Sequence, residues 1–358
     1  MTDSSSNALP WRRNVVDVAQ GLADWVTNEF GANSVLSDST MPDNGMANET
    51  VLFNVGRDRY VARLAPHEET PYPTFPVFDL GLQRDCMTLV RARTDVPVPE
   101  VVRYVEDPKW LGTPFLVMRH IEGEIPRDSP PYVLEGWMAS LSATELARLE
   151  EGTVKVLADI HTVRDPADLE QLSGDWTKAS PLHRQLNWQR NYYDWAREGL
   201  RVPAIEDALA ALRDAVPDNE RLVLTWGDSR IGNIIYRNCL PVGVLDWEMA
   251  TAGPPEVDVA WLVFMHEFMQ DMVSGHGLSG MPQLFQKDRV VELYEGFSGE
   301  QLDGLSWYLA FAALRFAIIL LRMGLRATAF GMLSPTEDPD SIFLFAPLLR
   351  RLISEISA

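Results

Sequence analysis

Residues 222–258 read LVLTWGDSRIGNIIYRNCLPVGVLDWEMATAGPPEVD, and this stretch decides the fold. Residues 222–224 are apolar and predict a short buried strand. The Trp-Gly-Asp sequence that follows predicts a tight turn, because glycine permits positive φ and aspartate tolerates tight loops. Residues 234–236 and 242–245 predict two further strands, joined by turn-forming residues at 238–241. The stretch is therefore expected to form one short strand, a tight turn and a hairpin.

Three polar side chains lie at the ends of these strands. Asp228 is followed five residues on by Asn233, and Asp246 comes thirteen residues after Asn233, where the hairpin returns to the loop. Phosphoryl transfer needs such a set, with one carboxylate to orient or deprotonate the attacking hydroxyl. An amide oxygen and a second carboxylate then hold Mg²⁺ against the phosphates. Either aspartate alone is explained equally well by turn or helix-cap chemistry, but the combination with apolar strands in both gaps is more specific.

The sequences WGDSRIGNIIY and GVLDWEMATAGPPEVDVAWL resemble the catalytic motif of the aminoglycoside phosphotransferase and choline kinase-like family. Weaker similarity extends from about residue 45 to the last helices. The most similar branch begins this loop with Trp-Gly-Asp instead of His-Gly-Asp, and it includes kinase-like domains fused to acyl-CoA dehydrogenases. The resemblance implies an α+β, two-lobed, protein-kinase-like fold. Residues 1–119 are then expected to form a small β-rich nucleotide-binding lobe, and residues 120–358 a larger helical lobe that binds the acceptor.

The resemblance also implies roles for five residues of this motif. Asp228 is expected to be the catalytic base, and Asn233 and Asp246 are expected to be Mg²⁺ ligands. Asp258 is expected to brace the catalytic loop as a structural support. Trp226 stands where the family has a histidine that is not the base, so its indole is expected to pack under the loop.

The residues that precede this motif predict a helix, a loop and a hairpin. Residues 14–30 have helical spacing. The apolar side of this helix consists of Val15, Val18, Leu22, Trp25 and Val26. Residues 35–48 are rich in Ser, Asp, Gly and Asn and predict a loop, while 50–55 and 59–64 predict two paired strands. In a kinase-like lobe, a hairpin that follows a flexible loop covers the phosphates of the nucleotide.

Nucleotide contacts in this lobe are also implied by the resemblance. Arg63 stands where a kinase has its phosphate-pairing lysine, and no lysine occurs in the first 108 residues. Arginine is permanently charged and binds phosphate in a bidentate manner, although an exposed strand arginine is the simpler interpretation. Asp85, in the following helix, matches the glutamate that pairs with that lysine. The backbone of Met118, Arg119 and His120 is expected to hold the adenine edge.

Charge and cysteine content exclude several classes of protein. The chain has 31 Lys and Arg residues and 51 Asp and Glu residues, a formal net charge of −20. This charge disfavours nucleic acid and anionic membrane surfaces as partners, because both attract basic proteins. Cys86 and Cys239 give no disulfide framework, and the polar opening residues predict no signal peptide. A cytoplasmic protein with free thiols is expected.

The most apolar long stretch, residues 307–329, is predicted to be a buried helix. Arg315, Arg322 and Arg326 interrupt it, and three arginines in one span would be costly in a bilayer.

The predicted activity is ATP- and Mg²⁺-dependent phosphorylation of a small hydroxyl-bearing acceptor. Only seven residues separate Asp246 from Pro254, too few for the activation loop that docks a polypeptide. The acidic composition suits an aminoglycoside or a related amine, with Glu248 a candidate acceptor residue. The Trp-Gly-Asp branch instead suggests a hydroxyacyl compound or its CoA thioester. A catalytically weak, nucleotide-binding scaffold is the alternative from another class, and Trp226 and Arg63 favour it.

Overall fold

The computed structural model describes residues 13–42, 49–67, 70–173, 176–178 and 180–356. Its helices are α1 (Val15–Phe30), α2 (Leu80–Arg93), α3 (Ala143–Ile160), α4 (Pro166–Leu172), α5 (Pro181–Ala196), α6 (Pro203–Asp214), α7 (Glu256–Ser274), α8 (Lys287–Ser298), α9 (Leu305–Ala329) and α10 (Ala346–Ile356). Its strands are β1 (Leu36–Thr40), β2 (Glu49–Val55), β3 (Asp58–Leu64), β4 (Val101–Val105), β5 (Phe115–Arg119), β6 (Val223–Thr225), β7 (Ile234–Arg237), β8 (Leu240–Val244) and β9 (Thr251–Gly253).

By proximity of their Cα atoms, the described residues form two compact units. The first unit takes its residues from 1–84, 100–120 and 322–335, and the second from 85–99, 121–321 and 336–358. These units are separated at several positions in the chain, whereas the sequence predicts one boundary, after residue 119. That boundary stays a prediction. The first unit contains the larger sheet and the second is mainly helical, so the predicted α+β class is confirmed.

The sheet of the first unit is antiparallel and has the order β1-β2-β3-β5-β4. The predicted hairpin is confirmed, since β2 and β3 pair without interruption from Glu49–Leu64 to Val55–Asp58. The loop predicted over residues 35–48 is wrong in its first part, because Leu36–Thr40 forms the edge strand β1 and pairs with β2. An exposed edge strand carries polar side chains, so its composition resembles that of a loop. Residues 43–48 of this loop, with Gly45, lie outside the described residues.

Helix α1 covers this sheet with the apolar side that its spacing predicts. Val18, Leu22, Trp25 and Val26 are buried in the core of the unit. Val15 was predicted to belong to this side, but it is 51% exposed because it is the first helical residue. The first turn of a helix projects beyond the surface that the later turns bury.

The second unit holds the motif in two short strand pairs, β6 with β9 and β7 with β8. Helices α7 and α9 are buried along most of their length. By length and composition, α9 is the one helix in the described ranges that could cross a membrane, and 78% of its most apolar window is buried inside the protein. The prediction of a buried helix here is therefore confirmed. Cys86 and Cys239 are both free and buried.

A buried histidine of α7 links two loops of the second unit. His266 Nδ1 lies 2.8 Å from the hydroxyl of Tyr132, and His266 Nε2 lies 3.1 Å from the carbonyl oxygen of Met281. Burial lowers the pKa of His266 from its ordinary value of 6.5 to about 4, against the opposing effect of the Met281 carbonyl. The unfolded chain therefore binds a proton at this residue below pH 6.5, and the folded chain does not.

This difference predicts a loss of stability on acidification. Between pH 7 and pH 5, His266 should lower the free energy of unfolding by about 2 kcal/mol. The variant His266→Gln has no titrating group here, so it should lose about that much less than the wild type over the same interval. Urea unfolding of both proteins at the two pH values measures this, and parallel losses would contradict the assigned burial effect.

Candidate active site

The turn of the motif is held by one buried carboxylate in the first turn of α7. Asp258 Oδ2 accepts the backbone N–H of Trp226 at 2.6 Å, and Oδ1 accepts that of Gly227 at 2.8 Å. His161 Nε2 lies 3.1 Å from Oδ2, and its Nδ1 lies 2.8 Å from the hydroxyl of Tyr294. His161 is thus a hydrogen-bonded core histidine. These contacts fix the backbone that leads directly into Asp228.

Only glycine fits at position 227. Its φ is +89°, and a Cβ placed there would lie 2.0 Å from the carbonyl oxygen of Met249. The turn therefore packs directly against the backbone that follows Asp246, with no room for a side chain between them.

Asp228 is buried, and both its carboxylate oxygens accept hydrogen bonds. Oδ1 accepts the indole N–H of Trp261 at 2.8 Å. Oδ2 accepts the amide N–H of Asn233 at 2.7 Å and the Nε–H of Arg230 at 3.2 Å. The two oxygens thus have different surroundings, with one held by helix α7 and the other by the loop between Asp228 and β7.

The hairpin brings Asp246 back to Asn233, as the spacing predicts. The backbone N–H of Leu245 donates to the carbonyl oxygen of Asn233 at 2.9 Å. Asp246 itself has a φ of +59°, which turns the chain sharply after β8. The indole N–H of Trp226 donates to the carbonyl oxygens of Leu245 at 2.8 Å and Asp246 at 3.1 Å. Trp226 is fully buried, and these hydrogen bonds connect the first turn of the motif to the residues just after β8.

The orientation of Asn233 fits a role in cation binding. Its Nδ2 donates to the backbone carbonyl oxygen of Asp228 at 3.1 Å as well as to Oδ2, so its Oδ1 remains the free acceptor. Among the described residues, no group of three or more His, Cys, Asp and Glu side chains could hold a metal ion. A cation here would have one amide oxygen and the carboxylate of Asp246, with other oxygens supplied by phosphates, which suits Mg²⁺.

A small cavity of about 10 Å³ lies beside Arg230 in the second unit. It is lined by Asp128, Tyr132, Arg230, Ile231, Gly232, Leu262, Met265, His266 and Met269. Arg230 forms ion pairs with Asp128 and Asp228. Burial alone would lower the pKa of Arg230, but the two carboxylates outweigh it and raise that pKa. Glu248 is not among the residues that line this cavity, and its acceptor role stays a prediction.

The sequence did not identify Arg230, Asp128 or Trp261. Arg230 lies inside the motif, two residues after Asp228, and this position was the available signal. Trp261 follows Asp258 by three residues, which places both on one face of α7. Asp128 lies in a loop 102 residues before Arg230, and no local pattern marks it.

The predicted nucleotide-binding residues are divided between the two units. Arg63 lies on β3, opposite Leu116 of β5, in the first unit. Met118 and Arg119 end β5, and His120 follows them. Asp85 lies within α2 and belongs to the second unit. The proposed ion pair of Arg63 with Asp85 and the adenine contacts stay predictions.

Solved structures share this fold over nearly the whole chain. A protein from Ralstonia eutropha JMP134, named as a candidate aminoglycoside phosphotransferase, matches with a TM-score of 0.67 and 23% identity. The match covers 94% of this chain and 97% of that chain. A thermostable variant of aminoglycoside phosphotransferase APH(4)-Ia, in a ternary complex with AMP-PNP and hygromycin B, matches with a TM-score of 0.56 and 18% identity, over 94% of this chain and 99% of that chain. These likenesses confirm the kinase-like fold.

Among curated proteins, human acyl-CoA dehydrogenase family member 11 is 28% identical over 265 residues. These residues are 72% of this chain and 32% of that protein, so the chain spans about a third of the length of this relative.

The sequence of this chain also matches the sequence model of a protein family. The model for the phosphotransferase enzyme family, APH, matches residues 40–278, which include the complete motif and strands β2 to β5. With the fold and the geometry around Asp228, this match establishes that the chain belongs to the APH phosphotransferase enzyme family.

Proposed function

We propose that this protein transfers the γ-phosphoryl group of ATP, with Mg²⁺, to a hydroxyl group of a small acceptor. The grouping of Asp228, Asn233 and Asp246 by one turn and one hairpin carries this proposal. Family membership supports phosphoryl transfer, and the AMP-PNP complex of APH(4)-Ia supports a nucleotide as the donor.

Asp228 is the proposed base. Its carboxylate is held in place by hydrogen bonds to both oxygens. An acceptor hydroxyl would donate its hydrogen to this carboxylate and transfer it there as the acceptor oxygen attacks the γ-phosphorus, the bond from that phosphorus to the bridging oxygen breaks and ADP leaves. Little covalent chemistry is required of the protein beyond this step, so catalysis depends on position and on charge neutralisation.

The remaining residues hold the donor in this proposal. Asn233 Oδ1 and the Asp246 carboxylate would hold Mg²⁺, which would neutralise part of the phosphate charge. Arg63, oriented by Asp85, contacts the phosphates, and the backbone of residues 118–120 holds the adenine edge. The contacts of Trp226 with the carbonyl oxygens of Leu245 and Asp246 support the position of Asp246. The contacts of Asp258 with the turn support the position of the residues that follow it.

The side chains around Arg230 and its small cavity favour a hydroxyacyl acceptor over an aminoglycoside or a related amine. Three of the lining side chains, those of Leu262, Met265 and Met269, are apolar chains from α7. Among the described lining residues Asp128 is the one carboxylate, and Arg230 already pairs with it. A polycationic acceptor requires carboxylates that are available to its amines, whereas an acyl chain requires apolar contact. The name of the human relative points the same way.

The first prediction concerns the base. Asp228→Asn keeps the shape of the side chain but removes its negative charge, so phosphoryl transfer should fall by about 100- to 10,000-fold. Binding of AMP-PNP should persist, since the proposed donor ligands are other residues. Calorimetric titration with AMP-PNP, with and without Mg²⁺, and a coupled assay of ADP release measure the two properties.

Asp214→Asn is the matched control, because Asp214 is an exposed residue at the end of α6 and its change should leave both properties intact. Transfer at the wild-type rate by Asp228→Asn would refute the assigned base. Binding of AMP-PNP that is absent or indifferent to Mg²⁺ in the wild type would favour the scaffold alternative.

The second prediction concerns the acceptor. With Mg·ATP in excess, kcat/KM should be at least about tenfold higher for hydroxyacyl thioesters or hydroxy acids than for aminoglycosides, which corresponds to about 1.4 kcal/mol. Met265→Ala should reduce kcat/KM for acyl acceptors by removing apolar contact. Efficient phosphorylation of an aminoglycoside, unaffected by Met265→Ala, would reverse the preference proposed for this cavity.

A further inference from the structure

The indole of Trp261 has a defined relation to the proposed base. Trp261 is almost completely buried, and its N–H donates to Asp228 Oδ1 at 2.8 Å. The other oxygen, Oδ2, accepts hydrogen bonds from Asn233 and Arg230. Helix α7 therefore holds one oxygen of the carboxylate through the indole, and the loop before β7 holds the other.

A buried arginine of α9 lies over the face of the same indole. The guanidinium carbon of Arg315 is 4.4 Å from the ring centroid of Trp261. Its Nη2–H donates to the carbonyl oxygen of Gly227 at 2.9 Å. Arg315 thus contacts both the indole that holds Asp228 and the residue that immediately precedes Asp228.

This arginine is unusual in its lack of a paired anion. In the described part of the chain no carboxylate forms an ion pair with Arg315, and its Nη1 has no hydrogen-bond partner. Burial lowers the pKa of Arg315 to about 10, and Asp258 and Asp228 oppose this shift, so the side chain is charged at neutral pH. A buried cation without a direct ion pair is costly to folding, which suggests that the position serves the site.

We propose that Trp261 and Arg315 are positioning residues that hold the carboxylate of Asp228 in one orientation. A cation over the face of an indole is attracted to the ring and draws electron density from the N–H, which makes it a stronger donor to a carboxylate. The carbonyl contact with Gly227 fixes the backbone at the same point. This inference rests on the proposed role of Asp228 as the base.

The test requires a tryptophan with the same kind of contact but no hydrogen bond to Asp228 or to the turn that precedes it. Trp307 lies in α9 and, like Trp261, is buried. Its indole N–H donates to the backbone carbonyl oxygen of Leu212 at 3.0 Å. Trp307→Phe removes a comparable hydrogen bond and a comparable volume, so it controls for a general effect on packing.

The first measurement is spectroscopic and needs no substrate. In ¹H–¹⁵N spectra of the full chain labelled at tryptophan, Trp261→Phe and Trp307→Phe identify the two indole signals by their loss. Asp228→Asn should move the Trp261 signal upfield, because a neutral amide is a weaker acceptor than a carboxylate, and should leave the Trp307 signal in place. A Trp261 signal that does not respond to Asp228→Asn would overturn the inference.

The second measurement separates kcat from KM in phosphoryl transfer. Trp261→Phe should lower kcat by about 10- to 100-fold, the effect of one hydrogen bond to a charged group, with KM for ATP unchanged. Arg315→Lys, which keeps the cation, should lose less activity than Arg315→Met. Trp307→Phe should match the wild type in both constants.

Two outcomes of the kinetic measurement would overturn the inference. One is an equal loss of kcat in Trp261→Phe and Trp307→Phe, and the other is equal activity of the two Arg315 variants. Failure of the proposed function is a separate result, since it would appear as an inactive wild type. In that case the response of the Trp261 signal still decides whether the indole and Asp228 are coupled.

Discussion

The hydrogen bonds from the backbone of Trp226 and Gly227 to the carboxylate of Asp258 are the constraint on which the site depends. A fully buried carboxylate is unfavourable unless its oxygens accept hydrogen bonds, and here the turn supplies two donors at 2.6 and 2.8 Å. The same two hydrogen bonds therefore stabilise the buried carboxylate and fix the backbone of the turn. Because Asp228 is the next residue, its position follows from them, and the short hairpin then sets Asn233 and Asp246 around it.

The sequence predicted those parts of the molecule that local patterns determine. The hairpin of β2 and β3 follows from its alternating apolar residues and its turn. The return of Asp246 to Asn233 follows from two short strands joined by a tight turn, since the register of an antiparallel pair decides which ends meet. Elements without a strong local pattern were missed, as the polar edge strand β1 shows.

Contacts between distant parts of the chain were beyond local patterns. Asp128 and Arg230 are 102 residues apart, and Arg315 and Gly227 are 88 residues apart. In the sequence, Arg315 is only an interruption of an apolar stretch, and its apolar neighbours indicate that it will be buried without indicating what it will contact. Its relation to Trp261 arises from the packing of α9 against α7, which no spacing rule specifies. These distant residues complete the surroundings of Asp228, whereas the motif itself supplies only the hydrogen bonds from Asn233 and Arg230.

The close approach of Gly227 to the backbone at Met249 has a consequence for protein engineering. A Cβ at position 227 would lie 2.0 Å from the Met249 carbonyl oxygen. The backbone at Gly227 and the backbone at Met249 are therefore in direct contact, and neither can shift toward the other. Insertions or deletions between Asp246 and Met249 would displace the turn that leads into Asp228 as well as the loop they alter. A library intended to change acceptor preference should therefore keep this span at constant length and place its diversity in the α7 side chains that line the cavity.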